Sequence, residues 1–180
     1  MNRSFFAFAI GVVSLMWSCS HNGNKNDLSN AGNRITQQED GTVSLNIGNA
    51  ACYSDITNPS GNTAEWVVVI SKPGRFEVWL SSATKDTTDL NYANSVRISL
   101  PDKQLEADPA CDKIIHNQGE LPSPYFRADS YMGSFFVSEP GEYIIQIISE
   151  KVIAKNARTP DTQITDNTML MSLFLTPMTR

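Results

Sequence analysis

From Val43 onward, apolar and polar positions alternate along most of this chain. In TVSLNIG, Val43, Leu45 and Ile47 fall on one side and Ser44 and Asn46 on the other. SVRISLP sets Val96, Ile98 and Leu100 against Arg97 and Ser99. In SFFVSEPGEYIIQIIS, Phe135 and Val137 lead into a Glu-Pro-Gly-Glu turn. Beyond it Tyr143, Ile145 and Ile147 oppose Ile144, Gln146 and Ile148. MLMSLFLTPM offers Met171, Leu173 and Leu175 against Ser172 and Phe174. A repeat of two is the signature of strands with one face in a core.

EWVVVISKPGRFEVWLSS, Glu65 to Ser82, follows the same rule. Trp66, Val68 and Ile70 form one inward face, and Phe76, Val78 and Leu80 a matching one. Lys72-Pro73-Gly74 predicts the turn of a hairpin, because proline fixes φ and glycine accepts a positive one. Trp79 then falls on the outer face with Arg75 and Glu77, and Val67 and Val69 lie outward too. An outward tryptophan is a ligand platform, a docking surface or packing covered by a loop, and the pattern does not choose.

About seven short strands, Pro/Gly-bearing connections and no long amphipathic helix predict an all-β fold, an antiparallel β-sandwich. One short helix is expected in ADPACDKIIHN, with Asp108 as its cap and Pro109 in its first turn. Long loops are expected from Asn117 to Ser130 and from Lys155 to Asn167, and loops of this kind often carry function.

Three landmarks carry a family resemblance: W-x-V-x-I-x-x-P-G-x-F-x-V-x-L from Trp66 to Leu80, MGSFFVSEPGEYIIQI from Met132 to Ile147, and LFLTP from Leu173 to Pro177. Together they resemble galactose-binding-like jelly rolls. That group includes the family 6 and family 35 carbohydrate-binding modules and the ancillary C-terminal sandwich of bacterial alpha-L-fucosidases. The resemblance implies sugar binding by loop aromatics at one edge of the sandwich. It also implies, in many members, a structural calcium held by terminal carboxylates. Here Glu39, Asp40 and Asp166 are the candidate ligands, with solvated carboxylates as the alternative. The acidic-Ala-Glu start of those modules is absent; this chain reads QQEDGTVSL.

The ends change the picture of where the domain works. Arg3 precedes an apolar run, Phe5 to Trp17, too short to span a bilayer permanently. The run closes in LMWSCS and resembles a bacterial lipoprotein signal, which implies removal of residues 1–18 and acylation of Cys19. The alternative is an ordinary secretory signal. Several acyl chains would form the anchor, each buried CH₂ contributing roughly 0.8 kcal/mol. Ser20 after the cysteine resembles lipoproteins sorted to the outer membrane. Residues 19–38 are Asn-, Gly- and Ser-rich and predict a flexible tether of about 20 residues, reaching roughly 25 Å as a coil. Residues 39–180 remain, about 140, enough for one domain with a core.

The formal net charge of −5 and the absence of a basic run exclude nucleic acid as an expected partner. Catalysis finds no signature. His116 is the single histidine of the predicted domain, and no HExxH, GxSxG, CxxC or Gly-rich phosphate loop occurs. The expected role is therefore non-catalytic. One reading is a glycan-binding module using Trp79 and the loop cluster Tyr125-Phe126-Arg127, with Tyr53, Tyr92 and Tyr131 as further aromatics and Asn62 and Asn91 as polar helpers. The other is an envelope interaction protein docking through the outer sheet face around Trp79. Cys52 and Cys111 remain once Cys19 is acylated, and an oxidising compartment predicts a bridge between them, with two separate buried thiols as the alternative. It would close a loop of roughly 60 residues, worth about 4 kcal/mol on the chain-entropy account.

Overall fold

The computed structural model describes residues 34–55, 57–116, 121–153 and 167–178. Among them the chain forms β1 (Arg34–Thr36), β2 (Val43–Asn46), β3 (Ala51–Tyr53), β4 (Thr63–Ile70), β5 (Gly74–Thr84), β6 (Val96–Leu100), β7 (Lys103–Ala107), β8 (Lys113–Ile115), β9 (Phe126–Val137), β10 (Gly141–Ile148) and β11 (Thr168–Pro177). The predicted sandwich is present. One sheet runs β1–β4–β10–β6–β7, with β3 sharing β4's outer edge with β1. The other runs β2–β11–β5–β9–β8. The pairings are antiparallel except that β1 lies parallel to β4.

The inward faces are those the alternation predicts except at Met171, which a break in the pairing leaves half-buried outside the core while Leu170 takes the inward place. Trp66, Val68 and Ile70 of β4, Phe76, Val78 and Leu80 of β5, Ile145 and Ile147 of β10 and Leu173 and Leu175 of β11 are all buried in one core. Each large side chain removed from water contributes about 1.5–3 kcal/mol. Trp66 is fully buried, and its indole N–H donates to Asn46 O at 3.0 Å, which removes the penalty of a dry polar group.

Glu65 to Ser82 is not a hairpin. β4 and β5 belong to different sheets, and residues 71–73 carry the chain across the sandwich. The two apolar faces therefore meet across the core instead of lying side by side. The Glu-Pro-Gly stretch between β9 and β10 makes the same crossing. Gly141 pairs with Ile70 and Gly74 with Val137, so the two corners sit next to each other at one end. Proline and glycine suit a sharp change of direction whether the strand returns beside its predecessor or opposite it.

Three further expectations are corrected. ADPACDKIIHN holds no helix: Lys113–Ile115 is strand β8, paired with β9, and the Asp108 carboxylate accepts from the Ser95 hydroxyl at 2.6 Å instead of capping a turn. Ile114 lies opposite buried Ala128, so a local helical signal yields to burial of one face. The loop expected up to Ser130 ends early, since β9 begins at Phe126. The ordered fold also starts before residue 39. β1 pairs with β4, and Gln37 is buried. Its amide donates to Gly41 O and Lys72 O at 2.7 and 3.2 Å and accepts from Ser71 N, Ser71 Oγ and Lys72 N at 3.0, 3.1 and 2.7 Å.

Candidate functional site

The outer face of the β2–β11–β5–β9–β8 sheet carries a row of aromatic rings. Residues directly opposite in neighbouring strands share a face. Phe174 of β11 lies opposite Trp79 of β5, and Trp79 lies opposite Tyr131 of β9. Three adjacent strands thus present three aromatic rings in line, across about 10 Å. The Trp79 and Tyr131 ring centres are 5.2 Å apart with planes at 58°. Tyr131 is 44% exposed, whereas Phe174 and Trp79 are half-buried.

Two irregularities set this alignment. Between Val78 and Trp79 the pairing of β5 with β9 shifts, and Met132 is the extra residue. Between Leu170 and Ser172 the pairing of β11 with β5 shifts in the same way, around Met171. A bulge changes which face the following residues occupy. Met132 is thereby buried in the core, and Tyr131 and Ser134 both face outward beside Trp79 and Glu77. Gly133, at φ +119°, completes the bulge opposite Val78, where an added Cβ would stand 3.2 Å from Leu105 Cδ2.

Charged groups lie over the row. Arg127, on β9 opposite Ala83, reaches across β5 so that its guanidinium stands 4.9 Å from the centre of Phe174. Asp129 holds it by two bonds, Nε to Oδ1 at 2.9 Å and Nη2 to Oδ2 at 3.0 Å. Ser81 lies on β5 beneath this crossing, between Asp129 and Ser172; its hydroxyl is buried and has no hydrogen-bond partner among the described residues. Lys113, on β8 opposite Asp129, reaches across β9 in the same direction and places Nζ 3.5 Å from the centre of Trp79. On the other side of the row, the Trp79 indole N–H donates to Glu77 Oε2 at 3.1 Å. Arg75 Nη1 donates to Ser134 Oγ at 3.4 Å.

The cluster Tyr125-Phe126-Arg127 is not a loop site. Phe126 and Arg127 begin β9 and point to opposite faces. Phe126 meets His116 edge-on at 5.3 Å, while Tyr125 lies beneath the Lys85 ammonium at 5.0 Å. Arg127 alone of the three joins Trp79 on the sheet face. Asn62 is buried and structural: its side chain accepts from Asp55 N at 2.7 Å and donates to Val152 O at 2.9 Å. Asn91 is exposed with φ 51°, a turn conformation, and Tyr53 stands exposed at the end of β3.

Glu39 and Asp40 occupy the turn between β1 and β2. Asp40 Oδ1 accepts from Thr42 N at 2.9 Å, and Glu39 O accepts from the Lys72 ammonium. Asp166 lies outside the described residues, as does Cys19. No group of three metal-ligating side chains gathers among the described residues.

The predicted bridge between Cys52 and Cys111 is not formed. Cys52 is on β3 at one lateral edge of the sandwich, with Sγ 3.9 Å from Ala50 O. Cys111 lies between β7 and β8, the strands at the other edge. A sheet width on the order of 20 Å separates those edges, far beyond disulfide reach.

A polar cleft of about 580 Å³ opens among the edge loops, lined by Asp89, Tyr92, Asn94, Ser95 and Asp108 among others. It holds one aromatic residue, and the Tyr92 hydroxyl lies 2.9 Å from Ser82 Oγ. Burial pushes the Tyr92 phenol well above its usual range. Among the described residues, two or more rings from different loops, as the resemblance implies for a sugar cleft at this edge, are not brought together there; the sheet face is where the aromatics converge.

No protein-family model and no curated protein matches this sequence. The domain is similar to part of the alpha-L-fucosidase from Vibrio sp. strain EJY3, with TM-score 0.62 and 26% identity, over 79% of this chain and 24% of the fucosidase. An insecticidal crystal protein gives TM-score 0.48 and 11% identity over 79% of this chain and 22% of that one. The GH26-CBM35 β-(1,4)-mannanase of Podospora anserina gives 0.44 and 11% over 78% and 28%. This chain spans about a quarter of the length of each.

Proposed function

We propose that this protein is a non-catalytic carbohydrate-binding module of the cell envelope, and that its glycan stacks on Trp79 and Tyr131, with Phe174 and the Arg127 guanidinium over it closing one end of the row. One observation carries the reading: three rings from adjacent strands stand in one outward row, flanked by Arg127, Asp129, Lys113 and Glu77. Sugar rings present C–H faces that pack on aromatic surfaces, and hydroxyls that need donors and acceptors at the rim. The row has both, over a length comparable with two linked pyranoses. The similarity to part of an alpha-L-fucosidase, a carbohydrate-active enzyme by name, supports it. The alternative, docking of another envelope protein on this face, would draw on the same aromatics; the polar and charged groups interleaved with them favour the glycan reading.

The test is a glycan array probed with the full chain purified in detergent, followed by titration calorimetry of the hits. Trp79→Ala and Tyr131→Ala should each weaken binding at least tenfold. Binding unaffected by both substitutions places the ligand elsewhere, and an array without hits ends the reading.

The envelope location rests on the N-terminal sequence. We propose that residues 1–18 are removed, that Cys19 is acylated, and that the following polar segment tethers the domain to the outer membrane. Mass spectrometry of the membrane-extracted protein should find an N-terminal diacylglyceryl cysteine at position 19. Cys19→Ser should release the domain from the membrane fraction or leave it unprocessed. An unmodified N-terminus elsewhere would overturn the anchor.

A further inference from the structure

We infer that the glycan recognised on this face is anionic, carrying a carboxylate or a sulfate, and that Lys113 is the residue that selects it. The inference rests on the carbohydrate reading above and adds the ligand's charge.

The argument begins with what covers the rings. An open sugar platform leaves its aromatic faces to solvent. Here two cations, reaching the same way across one strand each, lie over two of the three rings: the Arg127 guanidinium over Phe174 and the Lys113 ammonium over Trp79. Their electrostatic situations differ. The Arg127 charge is matched by the two-pronged bond to Asp129, whose side chain is only 10% exposed. That fork stays in place while Phe174 and buried Ser81 remain beneath it. Lys113 has no carboxylate within ion-pair distance among the described residues, and the π face of Trp79 is its one close partner. Asp129, directly opposite it in the β8–β9 pairing, is committed to Arg127. Asp112, next to it in sequence, accepts from Tyr131 N at 2.7 Å.

A ring quadrupole attracts an ammonium but does not neutralise it. Lys113 therefore stands at the centre of the row as a positive charge in contact with no carboxylate, since the acids around it are engaged elsewhere: Glu77 with the Trp79 indole N–H, Asp112 with Tyr131 N and Asp129 with Arg127. The two classes of sugar meet it differently. A neutral glycan must push the ammonium off Trp79 to stack there and gives it nothing comparable in return. A carboxylate or sulfate on a sugar seated along Tyr131 and Trp79 supplies the missing counter-charge, by charge-assisted hydrogen bonds to Nζ. The stacking surface and the anion receptor then act on one ligand. The flexible stem of lysine lets the ammonium follow the substituent, which a guanidinium fixed by Asp129 cannot do.

The experiment uses the full chain in detergent and two matched pairs of probes. Oligogalacturonate and its methyl ester differ in the carboxylate; a sulfated galactan oligosaccharide and its desulfated form differ in the sulfate. Affinities are measured at low and at physiological salt. At least one charged member should bind about tenfold more tightly than its neutral partner at low salt, with the preference shrinking as salt is added. K113Q should reduce that preference to about twofold or less, read as the ratio of charged to neutral affinity within the variant. K113R, which keeps the charge, should retain most of it. The melting temperature of each variant is recorded alongside, so that a loss of fold is not read as a loss of charge. Equal binding of charged and neutral partners overturns the anionic assignment and leaves the aromatic platform standing. A charge preference that survives K113Q overturns the role of Lys113. Failure of every probe, together with an array without hits, removes the carbohydrate reading itself and this inference with it.

Discussion

Gln37 fastens the start of the domain to the first Pro-Gly corner: its Oε1 accepts from Lys72 N at 2.7 Å, while its Nε2 donates to Gly41 O at 2.7 Å. One side chain thereby satisfies five backbone and hydroxyl groups from two turns. Gln37→Ala would leave several of them dry and unpaired, and should destabilise by about 2–3 kcal/mol in chemical denaturation. Gln37→Glu tests the donor side alone. Its carboxylate would keep the three donors to Oε1 but would face Gly41 O and Lys72 O with no proton to give. Gln37→Glu should therefore be less stable than the wild type at pH 7 in the same denaturation experiment. A variant as stable as the wild type would show that the donor side of Gln37 contributes nothing.

The two tryptophans of the Glu65–Ser82 stretch should separate stability from binding. Trp66 is fully buried with its N–H bonded, so Trp66→Ala should cost about 4 kcal/mol. Trp79 is half-buried and gives up contacts to Tyr131 and Lys113, so Trp79→Ala should cost about 1 kcal/mol. Urea melts of the two variants decide it. Comparable losses would mean that Trp79 is packing, and the aromatic row would then be structural.

Period-two alternation placed Trp66, Phe76, Tyr143 and Leu173 on inward faces without help from the fold, because burial of one strand face leaves a direct mark in sequence. Strand pairing left no such mark. Lys72-Pro73-Gly74 satisfies the backbone needs of a hairpin and of a corner between sheets equally well, so the local chemistry could not tell β4–β5 from two strands facing across a core. The outward side of Trp79 was legible for the same reason as the inward side of Trp66. Its neighbours were not. Phe174 and Tyr131 reach it from strands far away in sequence, and the bulges at Met132 and Met171 set the register that aligns them. Methionine at both extra positions is a pattern visible in the chain, but nothing local marks either as a bulge. Lys113 was hidden further, inside a segment whose Asp-Pro start reads as a helix.

The Gly133 bulge should be intolerant of a side chain. With φ at +119°, an alanine is strained whatever the space, and its Cβ would also press Leu105 at 3.2 Å. Gly133→Ala should destabilise by about 2 kcal/mol. Adding Leu105→Ala relieves the contact but not the backbone, so the double variant should remain less stable than Leu105→Ala alone. The same bulge orients Tyr131, so Gly133→Ala should also weaken glycan binding more than its effect on folding explains. Unchanged affinity at a temperature where the variant is fully folded would uncouple the bulge from the site.

Cys111 should behave as a reluctant thiol. Burial first, and then the charges of Asp86, Asp89 and Asp112, hold its pKa above the ordinary value. Asp86 stays ionised well into the acidic range, because the Thr88 hydroxyl and N–H bond to its carboxylate and lower its own pKa. The thiolate is the species that alkylates, so the rate of iodoacetamide modification should rise with a midpoint above about 8.5, the value of an unperturbed cysteine. The sign for folding follows. The raised folded pKa favours the native state below the unfolded thiol pKa, and that contribution is lost as pH rises through the folded value. Asp86→Asn and Asp89→Asn should each shift the alkylation midpoint downward, with the burial contribution remaining. Labelling without reductant should modify Cys111 in the wild type and give no product in Cys111→Ser at that position. A midpoint at or below the ordinary thiol value, or a Cys111 that reacts only after reduction, would contradict both the acidic surroundings and the separation of the two cysteines across the sandwich.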